Sequence, residues 1–145
     1  MITIKGNFQN KNIDVERYAD DYLKKIAHTI ADDLRKNLEQ QRVVSAEIGG
    51  DYGTPAPLSA QYKIWKQRVL GYTDIFKGKE LKLIQSVRAR RAGKMSWKIN
   101  IGLKERETIA EYVNRKRRFW GISKDIIEKI QKEFKAQNVE VSANG

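Results

Sequence analysis

The sequence predicts an α+β fold around one core, with a long N-terminal helix and further helices packed on a small antiparallel or mixed sheet that contains a β-hairpin at about 87–101. Three observations carry this expectation. Apolar residues recur at three- and four-residue steps from Val15 to Leu38; they switch to a two-residue period at Met95, Trp97, Ile99 and Ile101; and the regular strand–helix–strand alternation that builds parallel sheets is absent. At 145 residues the chain is read as a single domain over 1–145, a size at which folding buries roughly 68–70% of the surface an unfolded chain exposes.

Residues 2–8 alternate loosely through Ile2, Ile4 and Phe8 around Gly6, which suits a short strand or an extended lead-in. Asp14 is placed to cap a helix from about 14 to 40, with Glu16 adding favourable charge at its positive end. Val15, Tyr18, Ala19, Tyr22, Ile26, Ile30, Leu34 and Leu38 form its apolar stripe. Residues 42–48 carry β-branched side chains before Gly49-Gly50 and read as a short strand or a fraying helix end. Asp51 to Pro57, with both prolines, reads as irregular.

Pro57 suits the first position of a second helix, whose missing N–H costs nothing there, and Gly71 suits its end. Leu58, Tyr62, Trp65 and Val69 mark an apolar face on that helix, of three to four turns, with Lys63, Lys66 and Arg68 elsewhere around it. Gly78 to about Val87 reads as a short helix with Leu81 and Ile84 inward, followed by a hairpin turning at Ala92-Gly93. Thr108 to Val113 fits a short helix or strand. Ser123 caps a final helix that buries Ile126, Ile127, Ile130 and Phe134, and Val139 and Val141 supply a last edge strand.

Composition narrows the chemistry. There is no cysteine and one histidine, so thiolate metal sites, disulfides and cysteine nucleophiles are excluded. His28 lies inside the long helix with no nucleophile elbow in the sequence, and is read as a surface or boundary residue. Asp74 and Glu80-Leu81-Lys82 superficially match the acidic-x-lysine pattern of metal-dependent nucleases. Two residues apart on a helix, however, Glu80 and Lys82 point in different directions. Gly49-Gly50-Asp51-Tyr52-Gly53 lacks the Gly-Lys-Ser/Thr ending of a phosphate-cradling loop. The expectation is no catalytic residue, no metal and no cofactor. The start of the chain lacks a secretory signal pattern and no apolar run approaches the ~20 residues of a membrane span, so a cytosolic protein without a membrane partner is expected.

Charge is the strongest compositional feature. The formal net charge is +11, and residues 1–50 hold eight basic and eight acidic side chains, so the whole excess lies in residues 51–145. Arg88, Arg90, Arg91 and Lys94 sit on and beside the expected hairpin, and Arg115, Lys116, Arg117 and Arg118 precede Phe119-Trp120. These eight residues are the candidate surface for a polyanion or an acidic partner. A nucleic-acid reading has Trp120 or Tyr112 stacking bases, but no helix-turn-helix, zinc-finger or RNA-sheet pattern accompanies the cluster, and Phe119-Trp120 suits a core position better.

A resemblance runs through much of the chain. Pro55-Ala-Pro-Leu-Ser59 ahead of a helix with Trp65-Lys66, the run from Ile75 to Val87, the hairpin end Ile99-Asn-Ile101-Gly102, Ile109-Ala-Glu-Tyr112-Val113, and Arg118-Phe-Trp-Gly-Ile-Ser123 occur in this order. The pattern resembles the tail-completion, neck and virion-morphogenesis proteins of tailed bacteriophages, including those of Mu-like phages. It departs from that pattern at Lys79 and at Asn114 to Arg118, where the family carries a threonine-glycine step and a glycine-rich loop. The resemblance implies a structural, non-catalytic subunit of a homo-oligomeric ring, docked between portal-side connector and tail-tube proteins at the head-to-tail junction. It implies assembly in the bacterial host cytoplasm and residence in the virion, with possible non-specific DNA contact. The alternative reading is a cytosolic nucleic-acid-binding module using the basic hairpin and the 115–118 cluster.

Overall fold

The computed structural model describes residues 1–6, 13–74, 76, 82–102, 104–134 and 139–143, and the side chains of these except 13–18, 82, 104–106 and 134. In chain order the elements are β1 (Ile2–Gly6), α1 (Ile13–Glu39), β2 (Val43–Val44), β3 (Ile48–Gly50), β4 (Tyr52–Gly53), α2 (Ala60–Leu70), α3 (Lys82–Ser86), β5 (Val87–Gly93), β6 (Ser96–Ile101), α4 (Lys104–Lys116), β7 (Ile122–Ser123), α5 (Lys124–Phe134) and β8 (Val139–Ala143). The class is α+β, as expected.

The main sheet has the order β5-β6-β1-β8, antiparallel throughout. Period-2 alternation sorts its residues: Ile2, Ile4, Val87, Trp97, Ile99 and Ile101 are buried on the face that α1 covers. The opposite face carries Arg88, Arg90, Lys98 and Lys5. The N-terminal strand is thus central, and Val139 and Val141 do form the edge strand.

Helix α1 runs the length its periodicity predicts. Its buried side is wider than the expected stripe: Leu23, Ala27 and Ala31 join Ala19, Ile26, Ile30, Leu34 and Leu38, while Tyr22 is half-buried. A helix covering a whole sheet needs the broad stripe of positions i, i+3, i+4 and i+7, and alanines let it sit close. The Asp14 cap and the side chains of Val15, Glu16 and Tyr18 lie outside the described residues, as do Phe8, Gly78 to Leu81 and Phe134.

Gln41 has φ 54°, and the Arg42 N–H reaches the Asn37 carbonyl at 2.8 Å. This closes α1 in a Schellman motif without its usual glycine.

Several local expectations are corrected. The second helix begins after Ser59, whose hydroxyl accepts from the Tyr62 N–H at 3.2 Å, and not at Pro57; Gly71 at φ 82° ends it, as its sequence position suggested. In α3, Ile84 packs half-buried against the core as expected and Leu83 is buried beside it, while Leu81 lies outside the described residues. The hairpin turns on Lys94-Met95, one step past Ala92-Gly93, and Met95 takes the positive φ of 53°. Within the expected irregular stretch, Tyr52–Gly53 pairs with Val43–Val44. Residues 108–113 are helical inside α4, and Ser123 caps α5 by accepting from the Ile126 N–H at 3.1 Å.

β3 and β7 form a short parallel pair. A Cβ on Gly121 would stand 2.6 Å from the Ala46 carbonyl oxygen. That backbone approach explains why glycine follows Trp120. Phe119 is fully buried and meets Phe76 edge-on with centroids 5.9 Å apart, so Phe119→Ala is worth about 3–5 kcal/mol of stability.

Candidate functional site

Helix α2 inverts its expected orientation. Tyr62, Trp65 and Val69 lie on one side and Ile64 on another, yet they are 47%, 50%, 57% and 59% exposed, while Lys66 is 3% exposed. The Lys66 ammonium donates to the Asp74 carbonyl, which lets its aliphatic stem pass along the body of the protein. Burial lowers its pKa below the ordinary lysine value, against the pull of Asp74 and with the help of Arg117. Tyr62 and Trp65 stack on each other with centroids 5.6 Å apart. Single exposed apolar residues are normal on a surface; Tyr62, Trp65 and Val69 together on one side of an eleven-residue helix form a patch of the kind that binds protein.

The segment leading into α2 is held from outside. Arg117 donates from Nε to the Ala56 carbonyl at 2.6 Å and from Nη2 to the Pro57 carbonyl at 3.0 Å.

On another part of the surface a cleft of about 480 Å³ is lined by Met1, Glu47, Asn100, Ile101, Glu107, Ala110, Glu111, Asn114, Phe119, Trp120 and Ala143. Its floor is apolar and aromatic. Its charged side chains are the exposed glutamates 47, 107 and 111, with the Met1 amino group near Glu47 and Glu107. Burial lowers the pKa of that amino group, and the two glutamates oppose the shift. Asn100 and Trp120, which line the cleft, each hold a polar atom buried from solvent, Asn100 Oδ1 and Trp120 Nε1, that reaches no hydrogen-bond partner among the described residues. Such an atom costs about 1–3 kcal/mol.

The basic candidates separate into different roles. Arg88 and Arg90 share the outer face of edge strand β5, as expected, and Arg88 reaches back to the Gln85 carbonyl. Arg90 stands directly opposite Lys98 in the register, a like-charge pair. Arg91 turns to the α1 side, where its Nε lies 3.2 Å from Asp20 Oδ1, the oxygen that also accepts from Trp97 Nε1 at 3.1 Å. Lys94 lies in the exposed turn. At the end of α4, Arg115 and Arg118 are exposed, Lys116 lies 5.7 Å from the Tyr112 ring centroid, and Arg117 is the clamp on residues 56–57. His28 is on the α1 surface, 6.1 Å from the Trp97 ring.

Two groups escaped sequence reasoning. One is the cleft, although Glu107, Ala110, Glu111 and Asn114 recur at i, i+3, i+4 and i+7, a polar stripe that periodicity could have picked out. The other is a half-buried polar network: Asp33 accepts from Arg42 at 3.0 Å and from the Tyr52 hydroxyl at 2.7 Å, Arg42 lies 4.1 Å from the Tyr52 ring centroid, and Asn37 donates to the Phe119 carbonyl at 2.9 Å.

Among the described residues no group of three or more His, Asp or Glu is placed to hold a metal ion, and no helix is long and apolar enough to cross a membrane. No protein-family model matches the chain, and neither does any curated protein or any solved structure.

Proposed function

We propose that this chain is a non-catalytic assembly subunit of a bacteriophage head-to-tail junction, of the tail-completion kind its sequence resembles, acting by self-association into a ring and by docking on connector and tail-tube proteins. The observation that carries the reading is α2: a helix with Tyr62, Ile64, Trp65 and Val69 exposed and a lysine as its buried residue is built to be covered by protein. The test is sedimentation of the purified chain over a wide concentration range, with electron microscopy of the product. Concentration-dependent closed rings are expected in the absence of DNA; a monomer at every concentration overturns the reading.

A second reading, a nucleic-acid-binding module, is favoured by one observation. Arg90 and Lys98 face each other across β5 and β6, with Arg88 and Lys5 on the same face. Cross-strand like charges cost stability unless an anion lies between them. Duplex binding that falls by orders of magnitude between about 50 and 200 mM salt marks this alternative.

A further inference from the structure

We propose that α2 of one copy of this chain seats in the Phe119–Trp120 cleft of the next copy, a head-to-tail contact that repeats around a ring. The proposal rests on the self-association reading above and names the two surfaces that meet.

The surfaces are complementary in three respects. Helix α2 carries Lys63, Lys66 and Arg68 and no acidic residue, with Lys63 and Arg68 exposed; the cleft is rimmed by Glu47, Glu107 and Glu111, and among the described residues no Lys or Arg side chain lines it. The exposed part of α2 is aromatic and branched aliphatic, and the cleft floor of Ile101, Ala110, Phe119 and Trp120 is apolar. Its volume of about 480 Å³ is that of a small-molecule pocket, roughly 300–1,000 Å³, and so has room for a few large side chains projecting from a helix.

None of the residues of α2 lines the cleft of its own chain. Two different patches of one chain that fit each other give a heterologous contact, which closes into a ring or runs on as a filament. Stacked Tyr62 and Trp65 at the centre, with charges around them, is the arrangement of a hot spot inside a polar rim.

Two full-length variants test the proposal: Trp65→Glu, which spoils α2 and keeps the cleft, and Glu111→Lys, which spoils the cleft rim and keeps α2. Val69→Glu and Glu107→Lys serve as a second pair if either fails to fold by circular dichroism. Each variant alone is expected to weaken self-association by roughly 30-fold or more. An equimolar mixture of the two is expected to form one-to-one dimers and nothing larger, because one intact α2 and one intact cleft remain. If the wild-type chain assembles and the variants assemble equally well, or if the folded variants do not pair when mixed, this contact is wrong while self-association stands. A wild-type chain that stays monomeric overturns both.

Discussion

The Tyr52 hydroxyl donates to Asp33 Oδ1 at 2.7 Å, and the Arg42 guanidinium, lying over the Tyr52 ring, donates to the same oxygen at 3.0 Å. This oxygen ties the end of α1 to the β2–β4 ribbon, and neighbouring Asn37 extends the tie to Phe119. The Tyr52→Phe variant is therefore expected to lose about 1.5 kcal/mol, the lower end for a hydrogen bond to a charged group, because Tyr52 is only half-buried. Asp33→Ala, which leaves both donors without this acceptor, is expected to cost about 3 kcal/mol. Urea midpoints at constant slope measure both; equal losses would show that the hydroxyl alone matters.

Lys66 makes stability depend on pH. Its folded pKa lies below the ordinary lysine value because the group is buried, so the folded chain binds fewer protons than the unfolded one between that pKa and about 10.4. Stability is expected to rise with pH through this window, by at most about 1.4 kcal/mol per pH unit from this one group. Tyr52, whose pKa is raised mainly by burial, contributes the opposite slope only above pH 10. Comparing wild type with Lys66→Met as pH is raised to about 10.4 isolates the lysine: the rise is smaller in the variant, and identical slopes over the whole range would contradict the assignment.

At the end of α1, Gln41 holds a left-handed conformation at φ 54°. The Gln41→Gly variant removes the Cβ penalty and is expected to gain about 0.5–1 kcal/mol. Its melting temperature should rise by about 2–4 °C per kcal/mol for a chain of this size. A fall would mean that the Gln41 side chain contributes more than its backbone costs.

Arg90 opposite Lys98 predicts a site where removing charge stabilises. Arg90→Thr is expected to gain about 0.2–1 kcal/mol at low salt, with the gain shrinking as salt is added. No gain at low salt would show that the two cations already avoid each other.

Arg117 and Arg115 should behave differently despite lying two residues apart. Arg117→Ala releases the carbonyls of Ala56 and Pro57 and is expected to speed proteolytic cleavage in the 56–59 segment several-fold. Arg115→Ala, at an exposed position, leaves the cleavage rate unchanged. Equal rates for the two variants would exclude the clamp.

Much of the fold was legible locally. The span of α1, the hairpin pairing, the Ser123 cap and the Gly71 stop each depend on residues within one element or its nearest turn, where period and capping chemistry act directly. Glycine at 93 offers a cheaper left-handed residue two positions before Met95, but strand register places the turn at Lys94-Met95. Of the eight basic candidates, Arg88 and Arg90 were placed correctly on one face. Arg91 and Arg117 were not recognisable as tethers, since their partners Asp20 and residues 56–57 are remote in sequence.

Which residues share a face is already written in their spacing: the α1 stripe, the alternation of β6 and the row of Tyr62, Trp65 and Val69, beside the basic excess after residue 50. Which of those faces found cover depends on contacts between elements remote in the chain. Burial follows from what lies opposite. Helix α1 met a sheet, α2 leaves Tyr62 and Trp65 exposed and buries Lys66, and the cleft exists because residues 1, 47, 100, 111, 120 and 143 converge from separate parts of the chain.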